Sequence, residues 1–412
     1  MPPQEDRPKT KKPANTAFKQ QRLKAWQPIL TPKTVLPTFF IIGAIFVPIG
    51  IGLYIASDKV SQVIFDYTFC QKEATSTFSK PTKDYGPITE WRWDATSRAC
   101  TVRFEVDENF NPPVFLYYRL TNFYQNHRRY VKSFDTDQLK GTRKSSDKLS
   151  TNCDPLKTPP EGTWVMVNGV NTTSLSDAQY YPCGLIANSM FSDEIGDLTC
   201  ISSDAQFTDK TTGEQIQGCS TGTQISYLFQ PRSIAWPSDA DRFKSIKSEF
   251  TEAEIPTKLI PPPMWRSPNA FGGRYVNGYT AENLPDLHTW ERFQVWMRTA
   301  GLPNFRKLYG RNNGDVLPKG IWEVAITDNF PVENFAGTKS VVISTVSIIG
   351  GKNPFLGVAY MAVGAICWAL GLVFLLRHMI KPRKLGDHTY LSWNQPQGRA
   401  DGGGERTSLM NR

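Results

Sequence analysis

The sequence predicts a two-span membrane protein with a large exoplasmic, mainly-β ectodomain: an antiparallel β-sandwich with long loops and a few short helices. Three observations predict it. Two uncharged apolar runs of 22 residues, 35–56 and 355–376, stand near the ends of the 412-residue chain, and about 20 such residues cross a hydrocarbon core. Six of the seven cysteines lie between these runs. The 298 residues they enclose alternate short β-like segments with Pro- and Gly-rich stretches, the pattern of a sandwich rather than of a βαβ sheet.

The N-terminal tail, 1–34, holds 8 basic and 2 acidic residues, and the C-terminal tail, 377–412, holds 7 and 3. The chain as a whole carries +9, so the remaining 342 residues carry only −1. The basic character belongs to two tails and not to a groove, which argues against a nucleic-acid-binding domain. The first span, 35–56, is too long for a signal peptide, and Ser57-Asp58-Lys59 follows it instead of a small-residue cleavage site, so an uncleaved anchor is expected. Lys/Arg residues flank it on its N-terminal side (Arg22, Lys24, Lys33) and flank the second span on its C-terminal side (Arg377, Lys381, Arg383, Lys384). By the positive-inside rule both termini are cytosolic and 57–354 is exported. Trp26 and Tyr54 stand where interfacial aromatics collect.

The exported segment contains Cys70, Cys100, Cys153, Cys183, Cys200 and Cys219, and Cys367 lies in the second span. An even count in an oxidising compartment reads as three disulfides, for which fifteen connectivities exist. Nearest-in-order pairing is the expectation: Cys70–Cys100, Cys153–Cys183 and Cys200–Cys219. No CxxC pair accompanies the two exported histidines, His127 and His288, so a zinc site is disfavoured. The sequon Asn171-Thr172-Thr173 makes Asn171 the expected glycosylation site.

Strands are expected at 101–106, 114–120, 163–168, 224–229, 321–327 and 340–347, from alternation and β-branched or aromatic content. One helix is expected between Pro285 and Pro303, with Leu287, Trp290, Phe293 and Met297 on its apolar stripe. The last strand runs into the second span through a short link, Ile348 to Pro354, so the domain is expected to sit on the membrane rather than on a stalk.

Catalytic patterns are missing from the exported segment. It has no GxSxG, HExxH or GxGxxG. Gly350-Gly351-Lys352 lacks the earlier glycine and the Ser/Thr of a phosphate loop, and Asp209-Lys210-Thr211-Thr212-Gly213 reads as a polar turn. The spans hold no ionisable residue, so they form no transport path by themselves. They do carry glycines at seven-residue intervals: Gly43 and Gly50, then Gly357, Gly364 and Gly371. Small residues let helices approach closely, either the two spans to each other or one span to a partner's helix. The segment 122–130 (NFYQNHRRY) is dense in aromatics and hydrogen-bonders. It reads as a contact for a partner or for lipid headgroups, or as a structural segment with Arg128 or Arg129 buried in hydrogen bonds.

Five segments carry a family resemblance: 15–23 (NTAFKQQRL) with Trp26-Gln27-Pro28, 122–133 (NFYQNHRRYVKS), 182–191 (PCGLIANSMF), 296–309 (WMRTAGLPNFRKLY) and 350–357 (GGKNPFLG). Together with the two-span layout they resemble the accessory β-subunits of type IV P-type ATPases, the phospholipid flippases, known as the ligand-effect-modulator or cell-division-control accessory family. The N-terminal block and Cys200/Cys219 are similar to fungal members. The resemblance implies a non-catalytic subunit without cofactor. It would form an obligate heterodimer with a flippase catalytic subunit and support that subunit's folding, its exit from the endoplasmic reticulum and its activity in moving phospholipid to the cytosolic leaflet. Such a protein is expected in membranes from the endoplasmic reticulum to the Golgi, endosomes and plasma membrane. Partner contacts are expected at Trp26, Phe123, Tyr124, Asn126, Arg128, Arg129, Lys352, Asn353, Gly357, Gly364 and Gly371, with membrane phospholipids as further neighbours. The rival readings are a stand-alone receptor ectodomain and an ecto-hydrolase; the second needs a nucleophile–base pair that the sequence does not offer.

Overall fold

The computed structural model describes residues 13–24, 31–167, 169–173, 176–202, 206–208, 215–217 and 226–382. The chain divides into two compact units, one built on the two long helices and the other on residues 55–354. Among the described residues three helices run past a single turn: α1 (Pro32–Asp58), α2 (Glu291–Met297) and α3 (Phe355–Ile380). Both α1 and α3 are long and apolar enough to cross a membrane. Proline marks their limits. Pro32 opens α1 at a position where its missing N–H costs nothing. Pro382 follows α3 and disfavours further helix in the residue before it.

The second unit is built on eight main strands: β1 (Gln62–Asp66), β2 (Ile88–Asp94), β3 (Ala99–Val106), β4 (Val114–Leu120), β5 (Leu198–Ser202), β6 (Phe305–Asn312), β7 (Gly320–Thr327) and β8 (Lys339–Ser344). One sheet has the order β1-β8-β4-β6, antiparallel throughout. The other runs Ser226–Tyr227, β5, β7, β3, β2, also antiparallel, with Glu194–Ile195 paired to β7. Their inner faces share one core. Phe65 on β1 stacks on Phe104 of β3 with ring centroids 4.7 Å apart, both fully buried. In β4 the alternation is complete: Val114, Leu116, Tyr118 and Leu120 point inward and the residues between them are half-exposed. By contrast β8, flanked by β1 and β4, is buried at all six positions. Period two therefore disappears from its sequence.

The strands expected at 101–106, 114–120 and 321–327 are present. Others are shorter than expected. The segment at 163–168 yields Val165–Val167, and 224–229 yields Ser226–Tyr227, with 224 and 225 outside the described residues. At 340–347 the ladder ends at Ser344, because Ser347 and Gly350 close a turn through two reciprocal backbone bonds. The helix expected between Pro285 and Pro303 occupies only Glu291–Met297. Polar side chains end it at both sides. Gln294 Nε2 donates to the carbonyls of Leu287 and His288. Lys307 Nζ donates to those of Val295, Trp296 and Arg298. Leu287 and Phe293 of the expected stripe are buried, and Trp296, outside that stripe, is buried as deeply.

Cys70 is bonded to Cys100 and Cys153 to Cys183, each pair 30 residues apart in sequence. The first ties the helical turn Cys70–Glu73 to the start of β3. The second anchors a satellite core with Val165, Ala178, Tyr180 and Ile260. Cys200 is also disulfide-bonded, while Cys219 lies outside the described residues. Cys367, in α3, is a free thiol.

Candidate interaction surface

The glycine stripes lock α1 and α3 of this chain together. Gly357, Gly364 and Gly371 are the buried residues of α3. A Cβ added to Gly357 would lie 2.7 Å from the backbone nitrogen of Tyr54, and one added to Gly364 2.7 Å from Val47 Cγ2. At Gly371 it would lie 3.3 Å from Phe39 Cβ. From the other side, Gly50 abuts the backbone of Met361 and Gly43 the ring of Trp368. Phe39 against Phe374 and Phe46 against Tyr360 fill the flanks. This corrects the expectation that Gly357, Gly364 and Gly371 face a partner: the helices meet along their glycine rows because only a missing side chain permits that approach.

In the second unit, the two connections to the helices leave from one end of the β1–β8 ladder, where Gln62 pairs with Ser344. The Asn353 backbone N–H donates to Ser57 Oγ at 2.8 Å, and Thr345 N–H donates to the Ser61 carbonyl. Gly351 lies against the Arg306 guanidinium, which would have to shift to admit a side chain there. Lys352 is exposed beside them.

The aromatic segment splits by residue. Phe123 turns inward, with ring contacts to Tyr130, Trp296, Phe305, Phe330 and Phe335. It is half-buried and packs against the core with most of its ring. Gln125 is the buried hydrogen-bonder, accepting from Ala300 N–H and donating to Tyr130 Oη. Burial pushes the Tyr130 phenol up to about 12. Arg128 and Arg129 are both exposed, so neither is the buried arginine of the structural reading; Arg129 donates to the Asp154 carbonyl. Tyr124 and Asn126 also point outward. Asn126 Nδ2 donates to the Gly301 carbonyl, and Phe123 N–H to that of Pro303. These bonds bring Tyr124 (57% exposed) beside the loop carrying Leu302 (70% exposed). Tyr124 and Leu302 thus form an exposed apolar outcrop, and the exposed Arg128 follows Tyr124 by four residues in sequence, a composition that suits a protein contact. Asn171 is exposed on the short strand Val170–Thr172, open to modification, and Trp26 lies outside the described residues.

Sequence reasoning missed a buried ionic group. Lys339 Nζ donates to Asp193 Oδ2 at 2.7 Å, Asp328 Oδ1 at 2.5 Å and the Phe330 carbonyl at 2.8 Å. Tyr67 Oη donates to the same Asp193 oxygen, and Asp193 Oδ1 accepts from Asn329 and Phe330 N–H. Burial, with Asp193 adding to it, raises the Tyr67 phenol well above its ordinary value. Burial raises the Asp328 carboxyl too, against the pull of Lys339. The acceptors and donors all point at one another, so the group holds β8 to the loops around Asp193 and Asp328 and offers no reacting atom. No sequence signal marks it, since Lys339 and Asp193 are 146 residues apart.

Residues 53–384 match the LEM3 (ligand-effect modulator 3) family / CDC50 family. The chain belongs to this LEM3/CDC50 family. The match runs from the last turn of α1 through the whole second unit and past α3. It is therefore a membrane protein of that family, with α3 and only the last residues of α1 inside the match. Among its relatives, phospholipid-transporting ATPase accessory subunit CRF1 of Saccharomyces cerevisiae is 39% identical over 93% of this chain and 90% of its own length. Phospholipid-transporting ATPase accessory subunit CDC50 of Chaetomium thermophilum is 35% identical over 95% and 93%. Cell cycle control protein 50A of Bos taurus is 38% identical over 89% of each chain.

Proposed function

We propose that this chain is the non-catalytic accessory subunit of a phospholipid-transporting P-type ATPase. The observation that carries the reading is the similarity, over nine-tenths of both chains, to relatives named as accessory subunits of phospholipid-transporting ATPases. The chain pairs with the catalytic subunit and supports its folding, export and activity. Both basic tails face the cytosol and residues 57–354 the exoplasmic side, a reading supported by the Lys/Arg bias at the outer ends of both spans. The chain travels with its partner from the endoplasmic reticulum to the Golgi, endosomes and plasma membrane. Asn171 carries a glycan, Cys200 pairs with Cys219, and the outcrop of Tyr124 and Leu302, with Arg128, Asn126, Arg129, Lys352 and Asn353, contributes to the partner contact.

Copurification tests it. The tagged chain should bring down a large P-type ATPase in equal amount, and the pair should hydrolyse ATP and move phospholipid while the chain alone does neither. An ATPase that reaches its membrane and flips lipid at full rate without this chain or a paralogue would overturn the reading.

A further inference from the structure

At one end of the helix pair, where α1 begins and α3 finishes, the two helices border an open groove of about 270 Å³. One wall is apolar, formed by Val35, Leu36 and Phe374. The other is basic, formed by Arg377, His378 and Lys381. Arg377 and Lys381 stand one helical turn apart on one face of α3. Neither forms an ion pair among the described residues. None is available among the unit's described residues, 13–24, 31–54 and 355–382, which contain no Asp or Glu. The counter-charge for this groove has to come from outside the helix pair.

Position and wall chemistry narrow the source. Arg377 lies 22 residues after Phe355, the first residue of α3, or about 33 Å along the axis at ~1.5 Å per residue. A hydrocarbon core is about 30 Å thick. The basic wall therefore lies at headgroup depth and the apolar wall at the top of the acyl region. A ligand that suits both is anionic at one end and apolar at the other. The volume lies just under the roughly 300–1,000 Å³ of ordinary ligand pockets, enough for a headgroup and the start of its tails. Arginine takes phosphate oxygens in pairs, lysine adds a point charge, and basic pockets between membrane helices bind anionic headgroups. We propose that the groove between the start of α1 and the end of α3 is a binding site for one anionic phospholipid, whose phosphate sits on Arg377, His378 and Lys381 and whose glycerol end rests on Val35, Leu36 and Phe374. The leaflet is the cytosolic one, and this clause alone rests on the orientation given above.

The test is photolabelling of the full chain in phosphatidylcholine vesicles doped with a diazirine analogue of phosphatidic acid, with labelled peptides mapped by mass spectrometry. Label should concentrate on the peptides holding Leu36 and Phe374. It should fall at least ten-fold in R377Q/K381Q and persist in K33Q, which removes a nearby basic residue that does not line the groove. Because these charges also bias membrane insertion, two further variants separate the effects: R377K/K381R keeps charge and should keep the label, and Leu36→Trp fills the groove at constant charge and should lose it. Equal loss in K33Q, full labelling in Leu36→Trp, or equal labelling by a diazirine phosphatidylcholine overturns the site. Displacement of the label by inorganic phosphate overturns the lipid assignment in favour of a free anion. Protease protection of the tails in the same vesicles reports the leaflet separately, so a wrong orientation and a wrong site give different results.

Discussion

The helix pair and the ectodomain are held together by opposite means. In the helix pair the contact is made where side chains are absent, with Gly43, Gly50, Gly357, Gly364 and Gly371 letting backbone meet backbone or ring. In the ectodomain it is made where side chains are largest: Trp91, Trp265, Trp296 and Trp322 are all fully buried, stapled by disulfides and crossed by the Lys339 group. The surrounding solvent explains the difference. Between helices in lipid no hydrophobic force favours association, so close van der Waals approach has to supply it. In water, burial of aromatic surface drives folding, and a loop-rich domain gains further from cross-links that restrict its unfolded chain.

The sharpest way to break the ectodomain side is at its buried charges. Lys339→Met leaves Asp193 and Asp328 without their cation, and removing one member of a buried ion pair costs about 3–5 kcal/mol. Denaturant unfolding of the ectodomain should report a loss of that size, and the helix pair should be untouched. Next in size are the staples. Cys70→Ser or Cys153→Ser opens a cross-link spanning 30 residues, on the order of 3 kcal/mol in the chain-entropy model. Export from the endoplasmic reticulum should drop and misfolded chain should accumulate; Cys367→Ser should do neither.

The helix side responds to addition instead of removal. Gly364→Leu forces α1 and α3 apart against Val47, with overpacking costs of about 1–3 kcal/mol. A cross-link between cysteines placed at Phe39 and Phe374, whose rings are 5.7 Å apart, should form in the parent chain and fail in this variant. The ectodomain's disulfide map should not change. If the cross-link survives, the glycine rows are not what sets the distance.

A subtler difference is pH. Burial, with Arg298 nearby, pushes the Lys307 ammonium down to about 7. An unfolded lysine titrates near 10.4. Between about 7 and 10.4 the unfolded chain therefore binds more protons than the native one, and ectodomain stability should rise with pH across that window. Thermal midpoints measured through it should lose this part of the slope in Lys307→Met. The smallest expected stability effect, within about 0.5 kcal/mol, belongs to Tyr124→Ala with Leu302→Ala. These exposed side chains leave the fold alone, and the double variant should weaken copurification of the ATPase while thermal unfolding stays put. An unchanged complex would move the contact elsewhere on the ectodomain.

By itself the sequence determined the two apolar helices, the charged residues that flank them and the strands whose inward residues alternate, such as Val114–Leu120. Each of these is a local property: a run of apolar residues or a period of two is complete within one segment. It left β1, β2, β5 and β6 unseen, and it overextended the helix that Gln294 and Lys307 cut short. Only the tertiary structure decided which way each side of a marked residue faces. The glycine rows were legible as a spacing, but that they meet each other and not a second protein depends on α1 lying against α3, over 300 residues away in sequence. Phe123 and Tyr124 are adjacent and similar, yet one packs half-buried against the core and the other points to solvent, because Phe123 meets Trp296 and Phe330. Lys339 opens a strand that is buried at every position, and it is tolerated there because Asp193, 146 residues away, and Asp328 meet it. A burial pattern states that a residue will be covered; what covers it is set by contacts between segments that the chain's local chemistry does not encode.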